Sequence, residues 1–183
     1  MRAVVVYESM YGNTHLVADA IGAGLGEGFD VTVVPVAKAD PAALDGTDLV
    51  VVGGPTHAHG MSRASTRNGA VKAAGQPGSS TALDPDAPGP GLRHWLGSLD
   101  KEPHYARAAA FDTRMDGPAP FTGRASKGIG RVLRHHGFDL VAEPESFLVT
   151  KENHLDPGEE DRARAWGARL GAAASLGVAP GAS

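Results

Sequence analysis

Ala3-Val4-Val5-Val6-Tyr7 runs directly into Glu8-Ser9-Met10-Tyr11-Gly12-Asn13-Thr14. The first five residues are apolar, with no polar alternation. A strand covered on both faces has that pattern, and such strands belong to parallel sheets flanked by helices. The polar residues that follow form a short loop. Leu16, Val17, Ala20, Ile21 and Leu25 then recur at helical spacing, and Gly26 and Gly28 end the helix.

The same alternation continues outward. Residues 31–36 predict a second strand. Asp40-Pro41 opens a short helical stretch, with proline in its first turn. Residues 49–52 are a third apolar strand, stopped by Gly53-Gly54-Pro55. Residues 65–74 suit a short helix. Residues 75–91, rich in Gly, Pro, Ser and Asp, are expected to form a mobile loop. Leu92, Trp95, Leu96 and Leu99 mark the next helix, and residues 106–111 a fourth strand. Thr122 is placed to cap a helix with the core face Ala125, Ile129, Val132 and Leu133, ending at Gly137. A fifth strand lies within residues 140–149, interrupted near Pro144. Asp156-Pro157-Gly158-Glu159 resembles an N-cap, an N1 proline and a capping-box glutamate. The last helix then buries Trp166, Leu170 and Ala173 or Ala174. Five strands alternating with helices predict a three-layer, doubly wound α/β sandwich around a five-stranded parallel sheet. Pattern alone leaves the strand order open. One domain is expected over residues 1–176, with a tail at 177–183.

Composition narrows the function classes. The chain has 183 residues, 42% apolar and 21% charged, enough for one full core. Net charge is −4, so no polybasic surface points to nucleic acid. No apolar run approaches the ~18 residues of a membrane span. The absence of cysteine excludes disulfides, Cys-ligated zinc, iron–sulfur clusters and thiol nucleophiles, and it favours a cytoplasmic setting. The oligomeric state is left open.

In open α/β sheets, ligands bind at the carboxyl ends of strands, where the strand order reverses. The loop after the first strand, Ser9-Met10-Tyr11-Gly12-Asn13-Thr14, combines small polar side chains, a glycine and a helix N-terminus. Those features suit a phosphate, because free N–H groups and the helix dipole both favour an anion. The loop holds no Lys or Arg, so it suits an anchor and not a phosphoryl-transfer site. The plain alternative is a strand-to-helix turn capped by Asn13 or Thr14.

This loop resembles the flavodoxin phosphate loop, S/T-x-T-G-x-T, with Tyr11 in place of a threonine. The resemblance extends to the order and spacing of elements along nearly the whole chain. It implies strand order 2-1-3-4-5 and FMN at the switch between strands one and three. Ser9, Met10, Tyr11, Gly12, Asn13 and Thr14 would then hold the phosphate. Pro55, Thr56, His57, Ala58, His59 and Gly60, after the third strand, would flank the flavin ring. His59-Gly60 is similar to the family's ring-packing residue and the glycine after it. That glycine's peptide can flip toward flavin N5 and stabilise the semiquinone. Thr113 and Arg114, after the fourth strand, would meet the pyrimidine end, and Arg114 puts a cation where the family is usually acidic.

The function so implied is FMN-dependent electron transfer through oxidised, semiquinone and reduced flavin. Its partner would be a redox protein or a small electron acceptor. No side chain is expected to act as a catalytic acid or base. One alternative of the same fold is an NAD(P)H-dependent flavin or quinone reductase, or a protoporphyrinogen-oxidase-like protein, with residues 61–91 as lid or substrate wall. Another is a non-redox binding module with a degraded FMN site. His57-x-His59 supplies two potential metal ligands where three are needed, so no metal is expected. Thr122-Gly123-Arg124-Ala125-Ser126-Lys127-Gly128-Ile129-Gly130 is similar to a dehydrogenase fingerprint. It has one residue too many between the first glycines, and Pro118-Ala119-Pro120 precedes it where a strand is required.

Overall fold

The computed structural model describes residues 1–76, 82–100 and 106–176. Its strands are β1 (Arg2–Tyr7), β2 (Asp30–Pro35), β3 (Leu49–His57), β4 (Gly60–Met61), β5 (Arg107–Met115), β6 (Asp139–Leu140) and β7 (Glu145–Val149). Its helices are α1 (Asn13–Leu25), α2 (Ala64–Ala74), α3 (Leu92–Gly97), α4 (Ala119–Thr122), α5 (Ala125–His135) and α6 (Glu159–Leu176). The main sheet runs β2-β1-β3-β5, and β6 and β7 both lie parallel to β5 on its far side. β6 and β7 are two halves of one strand, interrupted over residues 141–144. Counting them together gives the order 2-1-3-4-5 that the sequence resemblance implies. Among the described residues no helix is long and apolar enough to cross a membrane.

Both sheet faces are buried, as the unalternating valine runs require. Ala3, Val5, Leu49, Val51, Ala109 and Phe111 face one cluster with α1 and α6. Val4, Val6, Val50, Val52, Ala108 and Ala110 face the other with α3 and α5. Trp166, Leu170 and Ala174 form the buried stripe of α6, and Trp95 is buried on α3. Helices α1 and α6 meet backbone to backbone at glycines. A Cβ on Gly24 would run into the Arg164 carbonyl, and one on Gly167 into the Ile21 carbonyl.

Four local expectations are corrected. Gly53-Gly54-Pro55 does not stop β3, which pairs with β5 as far as Pro55↔Thr113. A Cβ on Gly53 would overlap the Phe111 ring, so glycine is what lets that ring lie across the strand. The register with β1 ends at Tyr7↔Gly53, so Pro55 has a partner on one side only, where a missing N–H is tolerated. By the same pairing, Thr113 and Arg114 stand on β5 and not in the loop after it. Thr122 does not cap α5. The Ala125 N–H donates to Thr56 Oγ1 (2.8 Å) and the Ser126 N–H to Asp112 Oδ2 (2.7 Å), so two strand ends cap this helix. Glu159 forms no capping box. Its carboxylate accepts from the Leu148 N–H (2.7 Å) and from Arg162, fastening α6 to β7. Of the 75–91 stretch, residues 77–81 lie outside the described residues. Asp84 and Ala87 are buried, and the Asp84 N–H donates to the Met10 carbonyl (2.8 Å). The tail 177–183 also lies outside the described residues.

Asp112 gives a pH prediction. It is fully buried on β5, and burial raises its carboxyl above the ordinary value, against the hydrogen bond from the Ser126 N–H. The raised folded-state value means that the contribution of Asp112 to stability is greatest below about pH 4 and is lost as pH rises through the folded-state value. Asp112 Oδ1 and Ser126 Oγ are both buried without a hydrogen-bond partner among the described residues. Asp112→Asn keeps the cap and offers Ser126 a donor. The variant is therefore expected to gain stability relative to the parent as pH rises from 4 to 8. Urea unfolding of both proteins across that range measures it, and parallel pH curves would contradict it.

Candidate cofactor cleft

The site is built where β1, β3 and β5 end side by side. Past Tyr7, the Glu8 N–H donates to the Gly53 carbonyl (2.9 Å), and the chain then turns sharply. The Ser9 hydroxyl accepts from the Gly12 N–H (3.0 Å), and Gly12 is left-handed at φ +92°, which starts α1 at Asn13. Asn13 and Thr14 are helical residues and not caps. The Asn13 amide donates to the Asn153 carbonyl (3.0 Å) and to its Oδ1 (3.3 Å). The Thr14 hydroxyl lies 2.7 Å from that of Thr113, both buried, and joins α1 to β5. Helix α1 has no side-chain cap and no acidic residue in its first turn. The N–H groups of Asn13, Thr14 and His15 find no acceptor among the described residues. A helix start with orphaned donors and no cap is a ready anion site.

Tyr11, the departure from the family loop, has a separate task. Its Oη donates to the Ala70 carbonyl (3.2 Å), which ties the loop to α2, and burial raises the phenol's pKa. One cleft brings together Met10, Tyr11, Asn13, Thr14, Pro55, Thr56, His57 and Arg114. Ser9 and Gly12 shape its loop, and Thr113 stands behind Thr14. Met115, Val149 and Asn153 also line it. Sequence reasoning missed these three, although all sit at or just past the carboxyl ends of β5 and β7, where the strand-end rule points.

Ala58, His59 and Gly60 lie outside the described cleft. Ala58 and His59 are the two-residue turn of the β3–β4 hairpin, at φ +46° and +71°, and Gly60 is extended in β4 opposite His57. The left-handed positions therefore fall on Ala58 and His59. Two-residue hairpin turns with both central residues left-handed prefer Asn-Gly, so Ala58 carries strain. His59 is held from the other side by Gly123, where a Cβ would overlap the His59 backbone. Ala58→Gly is expected to stabilise the fold by about 1 kcal/mol, read as a raised Tm. An unchanged or lowered Tm would contradict the strained turn.

The charges around the cleft are fixed by neighbours. Arg114 Nη1 donates to the Gly117 carbonyl (2.7 Å) and to Thr122 Oγ1 (2.9 Å), bracing the loop after β5, while its buried Nε has no hydrogen-bond partner among the described residues. Burial holds His57 below the ordinary imidazole value. The Arg67 guanidinium adds to this and the Glu8 carboxylate opposes it, so the ring is mainly neutral at pH 7. Glu8 is buried and accepts from Ser62 Oγ (2.5 Å) and the Leu92 N–H (2.6 Å), tying the segment after β4 to β1. Asp84 accepts from His15 Nδ1 at 3.2 Å. Neither carboxylate's role carries a signal in the sequence, because both partners are distant along the chain. Among the described residues no three His, Cys, Asp or Glu side chains converge on a metal position.

Residues 5–84 match the family model for flavodoxins. A search of curated protein sequences finds no match. Solved structures share the fold. A flavodoxin from the domain Archaea is 20% identical, with TM-score 0.63, covering 96% of this chain and 99% of that one. Flavodoxin 1 from Bacillus cereus is 17% identical, with TM-score 0.63, covering 98% and 100%. Rubredoxin oxygen:oxidoreductase from Desulfovibrio gigas is 18% identical, with TM-score 0.63, and 96% of this chain aligns with 36% of that larger one. The fold is flavodoxin-like.

Proposed function

We propose that this flavodoxin-like chain binds FMN in the cleft at the ends of β1, β3 and β5. It would carry electrons to a redox partner protein or a small acceptor. The observation that supports this most is the start of α1. Among the described residues three N–H groups there lack acceptors, no carboxylate competes in the first turn, and Gly12 sets their direction. A phosphate supplies the missing acceptors, and the helix dipole favours its charge. The flavodoxin match over residues 5–84 supports the same cofactor.

Bound FMN supplies one- and two-electron redox chemistry, and the protein sets its exposure and potential. The chain's own residues bind and orient. Asn13, Thr14 and His15 would hold the phosphate through backbone N–H groups. Thr56 and His57 on one wall, and Arg114 and Met115 on the other, would flank the ring. The Arg114 guanidinium adds positive charge to the site and would favour reduced, negatively charged flavin.

The test is the visible spectrum of the purified protein, followed by FMN titration if it is colourless. Flavin bands or saturable FMN uptake are the expected result. Neither colour nor uptake at tens of micromolar FMN would overturn the reading. A second reading, an NAD(P)H-dependent flavin or quinone reductase, is favoured by a separate cavity built by the segment between β4 and β5. Bleaching of the bound flavin by NADH or NADPH alone would select it over a carrier, which needs a separate reductase.

A further inference from the structure

The second cavity is basic and lies beside the cofactor cleft. Its walls include Ser62, Arg63, Arg67, Gly91, Arg93 and His94, and it encloses about 460 Å³, within the range of small-molecule sites. None of its lining residues is acidic. Glu8 lies beneath, 3.6 Å from Arg67 Nε, with its oxygens already accepting from Ser62 and Leu92. Three guanidiniums against one carboxylate leave a local positive surplus in a chain of net charge −4.

Two of the arginines are held in place by backbone carbonyls; Arg67 is also ion-paired with Glu8, whereas Arg93 is held by carbonyls. Arg67 donates to the Ala87 (3.2 Å) and Gly89 carbonyls, and its buried Nε, 3.6 Å from Glu8, lacks a hydrogen-bond partner among the described residues. Arg93 donates to the Met61 (3.1 Å) and Ser62 (3.3 Å) carbonyls. Carbonyl acceptors orient a guanidinium and leave its charge intact. Gly91 leaves room for this, since a Cβ there would come within 2.5 Å of Arg67 Nη1. Arg63 is exposed at the mouth, immediately before α2. The first turn of α2 holds no acidic residue, so its N–H end adds to the positive field.

We propose that this cavity binds the phosphate groups of a small molecule, such as a nucleotide or dinucleotide, whose other end reaches the cofactor cleft. Planar guanidinium forks and helix N–H groups are the donors that phosphate oxygens fit. The two sites adjoin. Ser62 follows β4 directly, and β4 pairs with Thr56 and His57 of the cleft wall. Use of the cavity in electron transfer rests on the FMN reading, whereas its affinity for phosphate does not.

The test is calorimetric titration of the FMN-supplemented protein with sodium pyrophosphate, with malonate as a carboxylate comparison. Saturable pyrophosphate binding is expected, weakened at least about tenfold by Arg63→Gln and by Arg93→Gln. Arg131→Gln, an exposed arginine on α5, should leave it unchanged. Arg63 is exposed, so its variant tests the site without threatening the fold. Absent pyrophosphate binding, equal binding by Arg63→Gln, or malonate binding as tight as pyrophosphate would overturn the proposal. The flavin absorbance of the same samples separates the two ideas. Arg63-dependent pyrophosphate binding without flavin uptake sinks the FMN reading and keeps the cavity. Flavin uptake without pyrophosphate binding does the reverse.

Discussion

Gly167→Ala is expected to lower the unfolding free energy by about 2–3 kcal/mol, an overpacking cost, although alanine is the better helix former by about 1 kcal/mol. The propensity gain and the tertiary cost have opposite signs, and the distances decide between them. A Cβ at Gly167 meets the carbonyl group of Ile21, with backbone carbon atoms at 3.1 Å. Backbone cannot rotate aside as a side chain can, so α1 and α6 must separate. Separation opens gaps among Trp166, Leu170, Val17 and Ile21, which are buried in the same cluster. For a chain of this size, the loss corresponds to a fall in Tm of roughly 4–12 °C. Gly24→Ala should act the same way, since its Cβ would meet the Arg164 carbonyl. The double variant should cost less than the sum, because the first substitution already parts the helices that the second would push. Thermal and urea unfolding measure all three. A Tm that rises in Gly167→Ala would show propensity winning, and the close helix contact would be wrong.

Gly12→Val should weaken FMN binding about a hundredfold, equivalent to roughly 3 kcal/mol of backbone strain and lost alignment. A Cβ at Gly12 meets nothing within 4 Å, so crowding is not the cause. The cause is φ +92°, which a β-branched residue does not adopt. Valine would draw the loop to negative φ and turn the N–H groups of Asn13, Thr14 and His15 away from a common point. Gly12→Asn, which tolerates the left-handed region, should lose much less. Titration of the apo-protein with FMN, read by flavin fluorescence, gives both constants, and Tm of the flavin-free variants separates affinity from folding. Equal affinity for parent and Gly12→Val would remove the phosphate from the start of α1.

The valine runs 4–6 and 50–52 made both the strands and their double burial legible. A strand apolar on both faces must be covered on both, as in a sheet flanked by helices. The sharp turn of loop 9–14 into an uncapped helix start was legible because its features are local: glycine, small side chains and a helix start within six residues. Gly53-Gly54-Pro55 misled because turn propensity is local. The Phe111 ring that demands a small residue at Gly53 comes from a strand far along the chain. Thr122 misled for the same reason. Local pattern favours the nearest hydroxyl, but Thr56 and Asp112 reach the start of α5 from neighbouring strands.

By itself the sequence determined the layered α/β class and the strand and helix order, since each follows from periodicity or from contiguous residues. Tertiary structure alone added Met115, Val149 and Asn153 to the cleft wall and decided the long-range ties around it. Asn153 meets Asn13, Tyr11 reaches Ala70, and Glu8 gathers Ser62, Leu92 and Arg67 across the fold. Such contacts depend on which strand ends lie side by side and on how closely glycine-lined helices approach. Hydropathy and spacing along a chain do not encode those distances.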